Sequence, residues 1–149
     1  MANTKTNVID GSDAVIGRLG AQVAKSLLAG EKVAIVNAEK MVISGNPVAI
    51  VEKYYRRRLQ KEKANPEHSP HWPRRPDLMA KRILRGMLPH KTPRGRAAIK
   101  NLMVYIGVPA DLSANVQQPD VKRKAELNSR SITIAQLCTS LGYNRASHV

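Results

Sequence analysis

The run Val33-Ala34-Ile35-Val36 carries an apolar side chain at every position. Successive side chains of a strand point to opposite faces of its sheet, so a strand with this sequence must be covered on both faces. Runs of this kind are typical of central strands in parallel sheets that have helices on each side. The sequence therefore predicts an α/β fold with this run at the centre of a parallel sheet.

The residues before this run have the pattern of a strand followed by a helix. Residues 6–10 form a short candidate strand that ends at a turn. Apolar residues then recur at three- and four-residue steps from Ile16 to Leu28, and Gly30 is the expected end of the helix. Two parallel strands joined by such a helix are expected to form a right-handed crossover.

The next part of the chain alternates helical and extended patterns. Residues 41–43 are a candidate strand, and residues 44–47 combine turn residues with the residues of a helix start. The helix that follows is predicted to reach Lys61, with a buried apolar first half and a charged second half. Four prolines within residues 64–76 exclude helix and strand pairing, so an extended segment is predicted there.

Two further helices are predicted after this extended segment. The first begins at Asp77 and ends before Pro89, and its apolar stripe consists of Met79, Ile83 and Met87. The second and shorter helix begins at Thr92.

The C-terminal part contains one clear strand pattern and one clear helix start. Residues 102–106 are a candidate buried strand, whereas residues 110–130 are expected to form a loop. Thr133 and Gln136 have the spacing of a capping box, and the helix they begin is expected to end at Gly142.

Length and composition suit one domain over residues 1–149. A chain of 149 residues can bury about two thirds of its surface around a single core. Phe is absent, so aliphatic side chains must form most of that core. Cys138 is the only cysteine and lies in an apolar helical run, which favours a small core residue over a nucleophile or metal ligand.

The net charge indicates the kind of partner. The chain has 25 Lys and Arg against 11 Asp and Glu, a net charge of +14. Such an excess favours a polyanionic partner, either nucleic acid or an anionic membrane. No apolar run approaches the roughly 20 residues that span a bilayer, and the N-terminus has no signal pattern. Nucleic-acid binding in the cytoplasm is therefore predicted, without a membrane partner.

The positive charge is concentrated in residues 53–101, which we call the basic segment. It contains 15 basic and 3 acidic residues and so carries +12 of the total +14. A solvated helix face usually interleaves both signs, so phosphate binding is the better explanation. The mixture of helix ends with a proline-rich extension suits folded RNA rather than the major groove of DNA.

Aromatic side chains lie among these cations and are candidates for stacking on unpaired bases. They are Tyr54, Tyr55, His71 and Trp72. Tyr54 is equally compatible with core packing, because it follows Ile50 in helical register.

No motif for catalysis, cofactor binding or metal binding is evident. Gly11, Gly17 and Gly20 lie near a helix start but match neither the dinucleotide fingerprint nor the P-loop spacing. His68 and His71 have no Cys pair or His-Glu motif that would complete a metal site. An enzyme, a cofactor and a small-molecule substrate are therefore not expected.

Two consecutive motifs, Leu84-Arg85-Gly86-Met87-Leu88-Pro89 and His90-Lys91-Thr92-Pro93-Arg94-Gly95-Arg96, resemble the signature of the universal thirteenth large-subunit ribosomal protein family. Gly17-Arg18-Leu19 and Ile43-Ser44-Gly45 are similar to the N-terminal half of the family. Residues 132–143 are similar to archaeal members in particular.

The resemblance implies a three-layer α/β/α domain with a four-stranded, mostly parallel sheet and a basic helical, proline-rich excursion. It implies a structural constituent of the large ribosomal subunit that supports assembly and translation. The implied partners are large-subunit rRNA, of the 23S type in a prokaryote, and neighbouring large-subunit proteins. With the other basic residues, the predicted RNA-binding set is Arg18, Arg56, Arg57, Arg58, Lys61, Lys63, Arg74, Arg75, Arg82, Arg85, Gly86, His90, Lys91, Thr92, Arg94, Gly95 and Arg96.

Two of these residues are glycines, and the sequence leaves their role open. Gly86 and Gly95 allow either a close approach of RNA to the backbone or a turn geometry that other residues avoid.

Overall fold

The computed structural model describes residues 6–144 and contains two sheets and five α-helices within that range. The strands are β1 (Thr6–Asp10), β2 (Lys32–Val36), β3 (Val42–Ser44), β4 (Leu102–Val104), β5 (Val116–Gln117) and β6 (Ser131–Thr133). The helices are α1 (Ile16–Leu28), α2 (Pro47–Leu59), α3 (Pro76–Arg85), α4 (Pro93–Lys100) and α5 (Ile134–Ser140).

The main sheet has the order β4-β2-β1-β5, and each neighbouring pair is parallel. β2 is an inner strand, and Val33, Ala34, Ile35 and Val36 are all 0% exposed. The prediction of a parallel α/β sheet built on this run is confirmed. The physical reason is that an all-apolar strand is stable only where neighbouring layers cover both of its faces.

The two faces of the sheet are covered differently. Val33 and Ile35 belong to the large core that also contains the buried side chains of all five α-helices. Ala34 and Val36 point to the other face, where the 3-10 helix Ala110–Asn115 contributes Leu112. The core that contains the α-helices thus lies on one face of β2, and this short 3-10 helix covers the second face.

The fourth strand of the sheet lies in a stretch that the sequence assigned to a loop. β5 pairs with β1 only through Val8↔Val116 and Ile9↔Gln117. A two-residue strand is too short to show an alternating pattern, so the loop prediction for residues 110–130 was wrong at β5.

β4 is shorter and more exposed than the sequence predicted. It ends at Val104, it forms an edge of the sheet, and Met103 is 41% exposed. β3 was predicted correctly as a strand, but it pairs with β6 in a separate antiparallel sheet. Neither the edge position nor the partner strand is encoded in local sequence patterns.

The helix ends follow the predicted capping residues. Gly30 and Gly142 have φ angles of +94° and +88° just after α1 and α5, where a left-handed residue ends a helix. At the start of α5, Thr133 Oγ1 accepts from Gln136 N, and the Gln136 side chain accepts from Thr133 N. Both arms of the predicted capping box are therefore present.

The predicted burial of the first half of α2 was wrong. Val48 is 75% exposed, Ile50 and Val51 are half-buried, and the buried residue of this helix is Tyr54. The helix ends at Leu59 rather than Lys61. An apolar stretch is buried only where another element packs on it, and α2 contacts the core along a narrow stripe.

The buried stripe of α3 also differs from the predicted one. It consists of Pro76, Met79, Ala80 and Leu84, and Ile83 is only half-buried. Met87 lies beyond the end of the helix and is 37% exposed. The early end of α3 at Arg85 removes Met87 from the helical register that predicted its burial.

Cys138 is 0% exposed in the core, as predicted. Burial, with a smaller contribution from Asp77, raises the pKa of its thiol to about 12. A thiolate is the reactive form, so the native protein should not react with a thiol reagent at pH 8, whereas the urea-unfolded protein should react quantitatively. Rapid labelling of the folded protein would contradict the core assignment.

Candidate nucleic-acid interface

The loop of residues 86–92 connects α3 to α4 and is held by its own hydrogen bonds. Thr92 Oγ1 donates to Pro89 O at 2.8 Å and accepts from Gly95 N at 3.2 Å. Thr92 N also donates to Pro89 O at 3.0 Å. Thr92 is thus the N-cap of α4 and also holds the loop in place. The backbone positions of the adjacent cations are therefore fixed.

Gly95 is buried where the first turn of α4 meets this loop. An added Cβ would overlap the carbonyl group of Pro89 and would lie 3.0 Å from His90 N. The glycine therefore permits close packing of the chain against itself. Gly86 is different, because it is exposed and has an ordinary helical φ of −64°.

Most cations of the predicted set are exposed in the structure. The exposed ones are Arg18, Arg56, Lys61, Lys63, Arg74, Arg75, Arg85, Lys91, Arg94 and Arg96. Arg57, Arg58, Arg82 and His90 are half-buried. The half-buried side chains have fewer accessible orientations, so they lose less entropy when they bind an anion.

Two of the predicted cations already have acidic partners. Arg75 forms a two-point contact with Asp77, with Nη2–Oδ2 at 2.8 Å and Nε–Oδ1 at 3.2 Å. Arg56 pairs with Glu52 one turn earlier in α2. The Arg56–Glu52 pair is exposed, and exposed pairs contribute only about 0–1 kcal/mol, so a phosphate can replace that carboxylate.

Three other arginines donate to backbone carbonyl groups and keep their full charge. Arg58 Nη1 donates to Leu141 O at 2.7 Å and so connects α2 to the end of α5. Arg94 Nη2 donates to Leu28 O at 3.2 Å, and Arg96 Nη2 donates to Lys91 O at 3.1 Å. These contacts orient the guanidinium groups without neutralising them.

Several predicted residues from different elements converge on one groove of about 350 Å³, which we call the cation groove. The lining residues are Arg57, Gln60, Trp72, Arg82, Arg85, Gly86 and His90. They come from the end of α2, the proline-rich extension, α3 and the loop after it. Arg18 on α1, Lys61 and Lys63 do not line this groove. Gln60 was missed, since a neutral side chain gives no charge signal in the sequence.

Like charges lie close together at this surface. Burial lowers the pKa of Arg82, and the neighbouring Arg85 lowers it further. Burial and the nearby Arg74 lower the pKa of Arg58 in the same way. Among the residues that the structure describes, no acidic one lines the cation groove. Clustered cations without acidic partners form a surface that an anion would stabilise.

The aromatic residues divide between core and surface. Tyr54 is 7% exposed and meets Trp72 edge-on, with ring centroids 5.7 Å apart. The structure thus places Tyr54 in the core, and burial raises the pKa of its hydroxyl. Trp72 is half-buried, and Arg57 Cζ and Arg82 Cζ lie 4.9 and 5.0 Å from its ring centroid. Tyr55 is 52% exposed.

The other candidate sites receive no support from the described part of the chain. Gly11 is packed beneath a side chain, because an added Cβ would lie 2.9 Å from Met41 Cγ. Within residues 6–144, no cluster of three or more His, Cys, Asp or Glu residues could hold a metal ion. None of the helices in that range is long and apolar enough to cross a membrane.

Comparisons with known proteins identify a family that covers most of the chain. Residues 4–111 match the model of a family described as ribosomal protein L13. The chain belongs to the ribosomal protein L13 family. The matched region contains β1 to β4, α1 to α4 and the whole basic segment, so the L13 match includes every element that lines the cation groove.

Curated L13 relatives extend the similarity to most of the chain. A large ribosomal subunit protein uL13 from Methanocaldococcus jannaschii is 44% identical over 137 residues, covering 91% of this chain and 96% of the relative. Proteins of the same name from Methanopyrus kandleri and Natronomonas pharaonis are 41% and 37% identical. They cover 91% and 92% of this chain, and 86% and 91% of their own lengths. The expected similarity to archaeal L13 proteins is confirmed.

Proposed function

We propose that this L13-family chain is a structural constituent of the large ribosomal subunit that binds large-subunit rRNA through the surface of its basic segment. The observation that carries the proposal is the convergence of Arg57, Arg82, Arg85 and His90 on a groove with no acidic lining residue. Ribosomal proteins of this kind act by binding and ordering RNA, so no catalytic step is part of the proposal.

All residues of the predicted RNA-binding set, which are Arg18 and members of the basic segment, are proposed to contact RNA. Residues 1–149 are proposed to act as one domain. The partners are 23S-type rRNA in a prokaryote and neighbouring proteins of the subunit, in the cytoplasm. Folded RNA suits this irregular surface, because phosphates of several RNA helices can converge on it from different directions.

The loop between α3 and α4 is proposed to act as a preformed RNA contact. Its path is held by Thr92 and by the packing of Gly95 against Pro89. Lys91 in this loop and Arg94 in the first turn of α4 are both exposed beside this fixed path. Ordering a loop during binding reduces affinity, and a loop that is already ordered avoids most of that loss.

Binding to large-subunit rRNA should be strongly salt-dependent. About six phosphate contacts would reduce affinity by roughly three orders of magnitude between 50 and 200 mM salt, because each neutralised phosphate releases counterions. Changing Lys91 and Arg94 together to Gln should reduce affinity and lower the slope of log K against log salt by about 1.5 to 2. Filter binding at several salt concentrations measures both quantities.

The matched control changes two exposed lysines outside the basic segment, Lys122 and Lys124, to Gln. It removes the same charge and should leave the salt slope close to that of the wild type. An equal loss in both double variants would mean that the loop is not a preferred contact site. A flat salt titration of the wild-type protein would contradict the electrostatic basis of the proposal.

A further inference from the structure

A second groove lies beside the cation groove and has a different chemical character. Its volume is about 410 Å³, and its lining is mostly apolar. Four apolar residues, Trp72, Pro73, Leu78 and Ile99, line it, and we call them its apolar floor. Leu78 is 46% exposed although it lies on a helix rich in cations. An exposed apolar surface among charged residues marks a site where a partner removes it from water.

The other lining residues, which we call the rim, are cationic apart from His71. Lys81, Arg82 and Arg85 line it from successive turns of α3, and His71 lines it from the proline-rich extension. None of the lining residues is acidic. An apolar floor with a cationic rim suits a ligand that has a flat apolar part and an anionic part, as a nucleotide does.

The two grooves share three lining residues, Trp72, Arg82 and Arg85. A chain of phosphates that follows the cation groove therefore passes directly beside the apolar floor of the second groove. The sugar-phosphate backbone can stay on the cations while one base turns away from the strand. An acidic peptide could neutralise the cations of either groove, but its binding would not depend on the two grooves being continuous.

We infer that the groove lined by Trp72, Pro73, Leu78 and Ile99 binds one unstacked RNA base, whose phosphate contacts Lys81, Arg82 and Arg85. This inference rests on the proposed rRNA-binding function and specifies what one part of that surface recognises. Bases in loops and bulges are the parts of folded RNA that can leave their stack and enter a protein groove. The apolar floor tolerates any base, because every base has an apolar face.

Trp72 is the only tryptophan in the chain, so its fluorescence reports on this groove. The intact protein would be titrated with an adenosine hexanucleotide and with an abasic ribose-phosphate hexamer that has the same number of phosphates. The adenosine oligomer should quench Trp72 and bind about tenfold more tightly than the abasic one. Equal affinity and equal quenching by the abasic oligomer would overturn the inference.

A hexaglutamate peptide tests the alternative occupant, an acidic segment of a neighbouring protein. It should bind more weakly than the adenosine oligomer and leave Trp72 fluorescence unchanged. Tighter binding of the peptide, with quenching of Trp72, would assign the groove to a protein partner and overturn the inference.

Two matched variants separate base binding from charge. Leu78→Lys places a cation on the floor of the groove, and Val48→Lys makes the same change at an exposed apolar position of α2. Both add one positive charge, yet Leu78→Lys should bind the adenosine oligomer about tenfold more weakly than Val48→Lys. Circular dichroism checks that both variants are folded, and equal affinities of the folded variants would contradict a base on this floor.

The proposed function is tested separately with rRNA from Methanocaldococcus jannaschii and the wild-type protein. Salt-dependent rRNA binding with no quenching of Trp72 by the adenosine oligomer would overturn the groove inference alone. Absence of rRNA binding at any salt concentration would overturn both the proposed function and the inference that rests on it.

Discussion

Replacing Val36 with Asp is expected to unfold the protein. Val36 is 0% exposed on the inner strand β2, where it packs with Val8 and Ala34 beneath Leu112. A carboxylate at this position would have no cationic partner, and its desolvation would destabilise the fold by several kcal/mol. Since a domain is stable by only about 5–15 kcal/mol, this loss removes most or all of its stability.

The measurement is thermal unfolding followed by circular dichroism, together with the soluble yield. Val36→Thr is the matched control, because Thr has nearly the same shape and no charge. Its buried hydroxyl should reduce stability by about 1–3 kcal/mol and leave a folded protein. A folded, RNA-binding Val36→Asp protein would mean that β2 is not covered on both faces.

Replacing Gly95 with Ala should destabilise the protein by about 3 kcal/mol. Gly→Ala in a helix normally increases stability by about 0.5–1 kcal/mol. Here the new Cβ would overlap the backbone carbonyl of Pro89, which cannot move aside as a flexible side chain would. The loop and the first turn of α4 must then separate, and overpacking of this kind costs about 1–3 kcal/mol or more.

The corresponding decrease in melting temperature is roughly 6–12 °C for a chain of this size. Gly17→Ala is the control, because Gly17 is exposed in α1 and an added Cβ would meet no atom within 4 Å. That variant should be as stable as the wild type or slightly more stable. Weaker rRNA binding by Gly95→Ala would then follow from the displaced loop.

The two roles of Gly95 that the sequence left open are separable by the same experiment. An unchanged melting temperature with reduced rRNA binding would show that the glycine makes room for RNA. An unchanged melting temperature with unchanged binding would show that the contact with Pro89 is unimportant. An added Cβ would overlap Pro89 in the structure, so we expect a lower melting temperature rather than either of these results.

Local patterns were sufficient where each pattern has a single physical solution. The all-apolar run of β2 must be covered on both faces, and the Thr133–Gln136 pair must satisfy the first amide groups of a helix. Patterns failed where the outcome depends on a distant neighbour. Val48 is exposed because no element within residues 6–144 packs on that face of α2, and β5 forms because β1 has an edge free to pair with it.

The sequence by itself determined the central strand, the helix caps, the family and the part of the chain that holds the excess charge. These properties depend on side-chain periodicity and capping chemistry, which involve residues a few positions apart, and on composition, which is a count of residues. Only the tertiary structure decided which cations share a groove, and that Gly95 lies against Pro89. The reason is that Arg57 and His90 are separated along the chain and meet only when the core positions α2 beside α3 and its loop.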